Sequence, residues 1–181
     1  MTTPRERYRA QVKAEIKAKA WEQIAASGAP GLSLNAIAKQ LGMTGPALYR
    51  YFASRDELLT ELIREGYGSY AAAFAAAGEV DLMGFAQVAR EWALADPQRY
   101  FLMYGTPVPG YHAPEDTRET AQGIMDRLVK ACAKVSPAPE AHAIRAWTRL
   151  HGVLSLELAG HFEGMDVTPS ELFETEMRSL L

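Results

Sequence analysis

Apolar residues recur three and four positions apart along nearly the whole chain, and no stretch alternates with the two-residue period of a half-buried strand. That pattern predicts an all-α protein. The first stripe is Val12, Ile16, Ala20 and Ile24, with Lys13, Lys17 and Lys19 off it, and it stops at the turn sequence Ser27-Gly28-Ala29-Pro30-Gly31. Ser33 is placed to cap a short helix whose Leu34, Ile37, Ala38 and Leu41 share a face, and Gly42 closes it. Thr44 caps another short helix, with Pro46 in the first turn, where a missing N–H does no harm. After Tyr51-Phe52, Ser54 and Glu57 have the spacing of a capping box that opens a longer helix through Leu58, Leu59, Leu62 and Ile63.

Beyond Tyr67 the signals loosen. Ala71 to Ala77 favour continued helix, Gly78 ends it, and Asp81 caps a helix bearing Phe85, Val88, Ala89 and Trp92. Asp96-Pro97 begins a short aromatic helix, Arg99 to Tyr104, followed by a stiff loop from Gly105 to Pro114. A helix is expected from about Thr117 to Val135, with Ile124, Met125 and Leu128 inward, before Ser136-Pro-Ala-Pro139 breaks the chain. From Glu140 to about Phe162 runs the longest apolar helix. Ile144, Trp147, His151, Leu154 and Leu158 form one stripe, and Ala146, Leu150, Val153 and Leu156 a second. A helix apolar on two sides must bury both, and the expected cover for the second is another copy of the chain. Thr168-Pro169 restarts a last helix with Phe173, Met177 and Leu180 on one face. The last two helices of each subunit are therefore expected to form a four-helix bundle across a two-fold axis.

Charge sharpens this picture. Of 181 residues with a net charge of -3, residues 1–55 carry nine Lys and Arg against three Glu, or +6, leaving -9 for the rest. A basic front on an acidic body suits a polyanion such as a phosphate backbone. No run of about 18 apolar residues occurs, and the polar, basic start lacks the apolar stretch of a signal peptide, so a cytoplasmic protein with no membrane partner is expected. The single cysteine, Cys132, cannot form an internal disulfide, and no Cys and His cluster has zinc-ligand spacing, so neither a metal nor a cofactor is expected. Catalysis finds no support either: there is no nucleophile elbow, His-Glu-x-x-His, phosphate loop or dinucleotide fingerprint.

The stretch Leu32 to Phe52, LSLNAIAKQLGMTGPALYRYF, has the layout of a helix-turn-helix: an amphipathic helix, a glycine turn, and a second short helix with few side chains to give to a core. Leu48 and Phe52 anchor that second helix. Thr44, Gly45, Ala47, Tyr49, Arg50 and Tyr51 are then left facing outward, small, hydroxyl and cationic groups of the kind a major-groove reader needs. The plainer alternative is an ordinary helical hairpin, against which the charge split argues independently.

This segment resembles the tetracycline-repressor (TetR/AcrR) family of bacterial regulators. The resemblance rests on Leu34-x-x-Ile37-Ala38, Leu41-Gly42-Met43, Ala47-Leu48-Tyr49-x-Tyr51-Phe52 and Ser54-Arg55-x-Glu57-Leu58-Leu59, in order, over residues 10–63. The family usually has Lys where Arg55 stands, and a cation is retained. The resemblance implies that Ser33, Thr44, Tyr49 and Arg55 grip phosphates while Gly45, Pro46, Ala47 and Arg50 face bases or sugars; phosphate grips set register and base contacts set sequence. A second resemblance, Trp147-x-x-x-His151-Gly152 with Leu154-x-Leu156-Glu157-Leu158 and the loop before Pro114, is to the Trp-His-Gly type of effector domain in that family. It implies a small-molecule effector of unknown identity that moves the reading heads apart. Material for such a pocket is present in Phe85, Trp92, Tyr100, Phe101, Met103, Tyr104, Met125, Trp147 and His151. Each of these taken singly fits plain core packing, and His151 equally fits a hydrogen-bonded core or interface histidine; only their joint abundance indicates a pocket.

The expected organisation is thus a three-helix helix-turn-helix domain over residues 1–55 and a helical ligand-binding and dimerisation domain over 56–181. The expected function is a non-enzymatic repressor that binds a palindromic double-stranded DNA operator as a homodimer and is released by a ligand. Two alternatives stand beside it: a constitutive DNA-binding regulator without ligand response, and a helical small-molecule-binding protein.

Overall fold

A computed structural model describes residues 2–181. Among them are nine α-helices and no strand, an all-α protein. The chain divides into two compact units, one running through Glu65 together with Thr106–Ala113, the other comprising Gly66–Gly105 and Pro114–Leu181.

In the first unit, α1 (Pro4–Ser27) begins on a capping box at Thr3, whose hydroxyl accepts from the Glu6 N–H while the Glu6 carboxylate accepts from the Thr3 N–H. This pair satisfies two otherwise orphaned donors at the basic start of the chain. The buried face of α1 is Val12, Ile16, Ala20 and Ile24. Gly28, at φ 71°, turns the backbone out of α1 into a short 3₁₀ turn, Ala29–Gly31, a conformation in which any Cβ would be strained. Then follow α2 (Leu34–Gln40) and α3 (Gly45–Leu48), their first turns capped by Ser33 and Thr44, whose hydroxyls accept from Ala36 N and Ala47 N. The α-helix of α3 lasts one turn, and tighter turns carry the chain through Tyr51. Ile16, Ala20, Ile37, Leu48, Phe52, Leu58, Leu59 and Leu62 are fully buried and form the core of this unit.

Helix α4 (Arg55–Ala77) opens with Ser54 Oγ accepting from Glu57 N at 3.0 Å. The returning arm differs from the standard box: the Glu57 carboxylate accepts from Ala53 N, one residue before the cap. Segment 106–113 is held in this unit by a 3.0 Å hydrogen bond between Tyr111 Oη and Thr60 Oγ1.

The second unit contains the later part of α4, then α5 (Leu82–Ala95), α6 (Pro97–Tyr104), α7 (Glu115–Cys132), α8 (Pro139–Leu158) and α9 (Pro169–Arg178). Asp81 and Asp96 cap α5 and α6 by accepting from Gly84 N and Arg99 N. Helix α7 starts two residues before the expected Thr117, which sits buried in the first turn with its hydroxyl donating to Pro114 O at 2.6 Å. It ends at Cys132 rather than Val135, and α8 ends at Leu158 rather than near Phe162; Gly160, at φ 75°, lies just past that end. Helix α8 packs between α7 and α9, and alanines make the crossings close: Ala86, Ala89 and Ala93 of α5 and Ala143 and Ala146 of α8 are all buried. A half-buried ion pair, Arg90 with Glu157, links α5 to α8, with the Arg90 guanidinium 5.6 Å from the Phe173 ring of α9. His142 Nε2 lies 2.8 Å from Leu180 O, joining the start of α8 to the end of the chain. Cys132 is buried, and burial pushes its thiol above the usual range, so it packs as a small apolar group.

Candidate functional site

The short helix α3 and the turn after it owe their orientation to two buried anchors, Leu48 and Phe52, both at 0% exposure. With those inward, Thr44, Pro46, Tyr49 and Arg50 are exposed, and Gly45, Ala47 and Tyr51 are half-buried. The Arg50 carbonyl accepts from Arg9 Nη2 at 3.1 Å, and the Arg9 guanidinium stands 5.6 Å from the Tyr51 ring. Lys13 Nζ lies 4.8 Å from the Phe52 ring centroid. The basic start of α1 therefore shares one surface with the α3 turn, a juxtaposition that helical periodicity alone does not reveal. The Arg50 side chain stays in solvent.

Three of the residues expected to grip phosphate also make hydrogen bonds within the chain. Ser33 and Thr44 serve as helix caps, as above. Arg55 donates to three backbone carbonyls, through Nε to Leu32 at 3.0 Å and through Nη2 to Ala29 at 2.8 Å and Pro30 at 3.2 Å. Its planar fork thus staples the 3₁₀ turn to the start of α4, work a lysine could not do with one ammonium. The family resemblance implies a phosphate contact for Arg55; within the chain its hydrogen bonds go to these carbonyls.

In the second unit, α4, α5, α6, α7 and α8 enclose a cavity of about 390 Å³. Of the nine expected pocket residues, Phe85, Tyr104, Met125, Trp147 and His151 line it. Trp92, Tyr100, Phe101 and Met103 do not; Trp92 and Tyr100 stand behind lining residues, and the Phe101 ring lies 5.5 Å from that of Tyr100. Trp92 lies against the Tyr70 ring, centroids 4.4 Å apart, and donates through Nε1 to Ser69 Oγ at 3.0 Å. Tyr100 is fully buried and directs its hydroxyl at His151 Nδ1, 3.0 Å away, and at Ser155 Oγ, 2.8 Å away. Met103 fills space that a side chain at Gly66 would need, its sulfur 2.7 Å from where a Cβ would lie, so α6 approaches α4 at a glycine.

Sequence reasoning left out Tyr67 and Tyr70, which add two rings to the wall, together with Ile124, Leu128, Ile144 and Leu150. The three-residue spacing of the two tyrosines continues the α4 stripe and was the available signal. The rings interlock: Tyr67 and Tyr104 meet edge-on at 6.3 Å, Tyr104 and His151 lie 4.2 Å apart, and Trp147 and His151 lie 4.9 Å apart. Burial drives the Tyr70 and Tyr104 hydroxyls far above the usual phenol range and pushes the His151 imidazole down to about 4, so at neutral pH these three side chains are uncharged. Arg118, exposed and paired with Glu115 at 3.4 Å, is the one charged residue lining the cavity among the described residues. A larger hollow of about 720 Å³ between α4 and α7 is lined by Glu79, Asp126, Arg127, Lys130 and Lys134, mixed charges that give an apolar molecule little to bury against. Among the described residues no group of three or more His, Cys, Asp or Glu could hold a metal ion, and no helix is long and apolar enough to cross a membrane.

Both apolar stripes expected on α8 divide. Of the second, Ala146, Leu150 and Val153 are buried within the chain and Leu156 remains 45% exposed; of the first, Leu154 is buried, Trp147 and His151 turn to the cavity, and Ile144 lines it while 53% exposed.

Comparison with known proteins bears on both units. The profile of bacterial regulatory proteins of the tetR family matches residues 16–62, and a profile described as a tetracyclin repressor-like C-terminal domain matches residues 82–180. An HTH-type transcriptional regulator of Mycobacterium tuberculosis, Rv1816, is 34% identical over 96% of this chain and 92% of its own. The crystal structure of the regulatory protein SCO4313 is 55% identical, with a TM-score of 0.90 over 99% of each chain. A TetR variant from Acinetobacter baumannii in complex with minocycline is 18% identical with a TM-score of 0.60 over 91% of each chain, a likeness of fold.

Proposed function

Because the chain belongs to the TetR family of helix-turn-helix DNA-binding transcriptional regulators, we propose that it is a repressor that binds a palindromic operator as a homodimer and is released by a small molecule held in the aromatic cavity. The observation that carries the DNA-binding half of this reading is the exposed Thr44, Tyr49 and Arg50 flanking a short helix anchored by Leu48 and Phe52, in the first third of the chain, which holds the positive charge. Two such helices in successive major grooves, about 34 Å apart, would read the two half-sites of a palindrome. Residues 1–55 are assigned to reading and 56–181 to the effector and to dimerisation through α8 and α9. Exposed Leu156 beside Gly152, with open space around it, supports α8 as the meeting face.

Release follows from linkage. A ligand that binds better to the conformation with the wrong head spacing lowers operator affinity by the ratio of its two affinities. A direct covalent route for that coupling exists, since Tyr104 lines the cavity at the end of α6 and the chain then enters segment 106–113, whose Tyr111 is hydrogen-bonded to Thr60. Trp147, His151 and Gly152 support the Trp-His-Gly type of effector domain.

Gel shifts with the palindromes flanking the coding region test the reading. Arg50→Ala should weaken specific binding by about 1–3 kcal/mol while leaving the melting temperature and the dimer unchanged. Wild-type protein that ignores every duplex at moderate salt, or sediments as a monomer at working concentration, would overturn the proposal.

A further inference from the structure

The wall of the aromatic cavity specifies the chemistry of its occupant, on the reading that this cavity is the effector site. Tyr67, Tyr104 and Trp147 offer ring faces and edges, while Ile124, Met125 and Leu128 offer aliphatic surface, a combination that suits a flat aromatic body. No Asp or Glu lines it, among the described residues. A buried cation would thus have no carboxylate to replace its water, only ring faces and the neutral oxygens of Gln122 and the tyrosines, which recover only part of that loss. An anion is answered differently: Arg118 lines the cavity, its side chain is 69% exposed, and its partner Glu115 is 77% exposed, so the pair exchanges readily for another carboxylate.

The depth of the cavity adds a polar requirement. Ser155 Oγ and His151 Nδ1 flank the Tyr100 hydroxyl at 2.8 and 3.0 Å. The Tyr100 hydroxyl also reaches the His151 carbonyl at 3.4 Å, so this network holds the imidazole by one edge. Since His151 lines the cavity and Tyr100 does not, the opposite edge is the one a ligand meets. A hydroxyl there, able to donate or accept, matches the ring in either tautomer.

We propose that this protein binds a planar aromatic carboxylate, its ring system between Tyr67, Tyr104 and Trp147, a hydroxyl on the ring meeting His151, and its carboxylate at Arg118. Three probes that share one ring system separate the charge terms: hydroxynaphthoate, hydroxynaphthamide and a hydroxynaphthyl trimethylammonium. Binding to the full-length dimer is read by tryptophan fluorescence and calorimetry, without DNA. Hydroxynaphthoate should bind, the carboxamide about threefold to fivefold more weakly, as an exposed ion pair permits, and the ammonium not measurably. Arg118→Gln, at an exposed position that leaves the fold intact, should bring the carboxylate down to the affinity of the carboxamide and leave the carboxamide unchanged. Trp147→Leu should weaken both by about tenfold, the stacking contribution of one ring. An ammonium that binds as tightly as the carboxylate, a carboxylate preference that survives Arg118→Gln, or no binding of hydroxynaphthoate at millimolar concentration would each overturn the proposal. Operator release is measured separately: a carboxylate that binds as described without releasing DNA leaves this assignment standing and defeats the effector reading, whereas release by a different class of molecule does the reverse.

Discussion

Lowering the pH should destabilise this protein through His151 more than through any ordinary surface histidine. The imidazole Nδ1 lies 3.0 Å from the Tyr100 hydroxyl, the ring is 4.2 Å from that of Tyr104 and 4.9 Å from that of Trp147, and burial holds it at about 4 in the folded chain against 6.5 when free. The folded state therefore binds fewer protons than the unfolded state between those values, so stability rises with pH across that window. The contribution is complete above the unfolded value and is lost as pH falls toward the folded one. At 1.36 kcal/mol per unit, the whole shift is worth about 3 kcal/mol, and linkage places about 2 kcal/mol of that loss above pH 5. The assay is urea unfolding at fixed protein concentration at neutral pH and near pH 5, for the wild type and for His151→Phe. The difference between the two removes the carboxylates and the other three histidines from the comparison. The variant should lose about 2 kcal/mol less than the wild type over that interval. In parallel, the His151 ring resonance should titrate well below 6. Superimposable pH dependences, or a midpoint between 6 and 7, would refute the claim that this ring is held neutral by burial.

Two further perturbations separate structural from functional roles. Arg55→Lys keeps a cation but gives up the fork that holds three carbonyls, and should cost about 1–2 kcal/mol in unfolding experiments; a variant that melts like the wild type yet binds DNA poorly would instead make Arg55 a phosphate contact. Tyr111→Phe removes the hydrogen bond to Thr60, so amides of 106–113 should exchange faster while overall stability changes by only about 1 kcal/mol, and unchanged exchange would show that the loop is held by other means.

The sequence by itself determined most of what is local. Every helix but the extended start of α1 was visible in its apolar period and its punctuation, because caps such as Ser33, Thr44, Asp81 and Asp96 act within three residues of themselves. The DNA-reading segment was legible for the same reason: its two anchors and its outward residues lie within one short stretch, and the positive charge sits beside it. Tertiary structure decided what depends on neighbours distant in the chain. Tyr67 and Tyr70 became cavity wall while Trp92, Tyr100 and Met103 became its backing, a division set by which helix stands opposite and by how closely α6 approaches α4 at Gly66. That Arg55 donates to carbonyls more than twenty residues away depends likewise on where the turn before α2 stands against the start of α4. A periodic pattern tells which face of a helix is buried; only packing tells whether that face meets a core, a cavity or another chain, since the same apolar side chains serve all three.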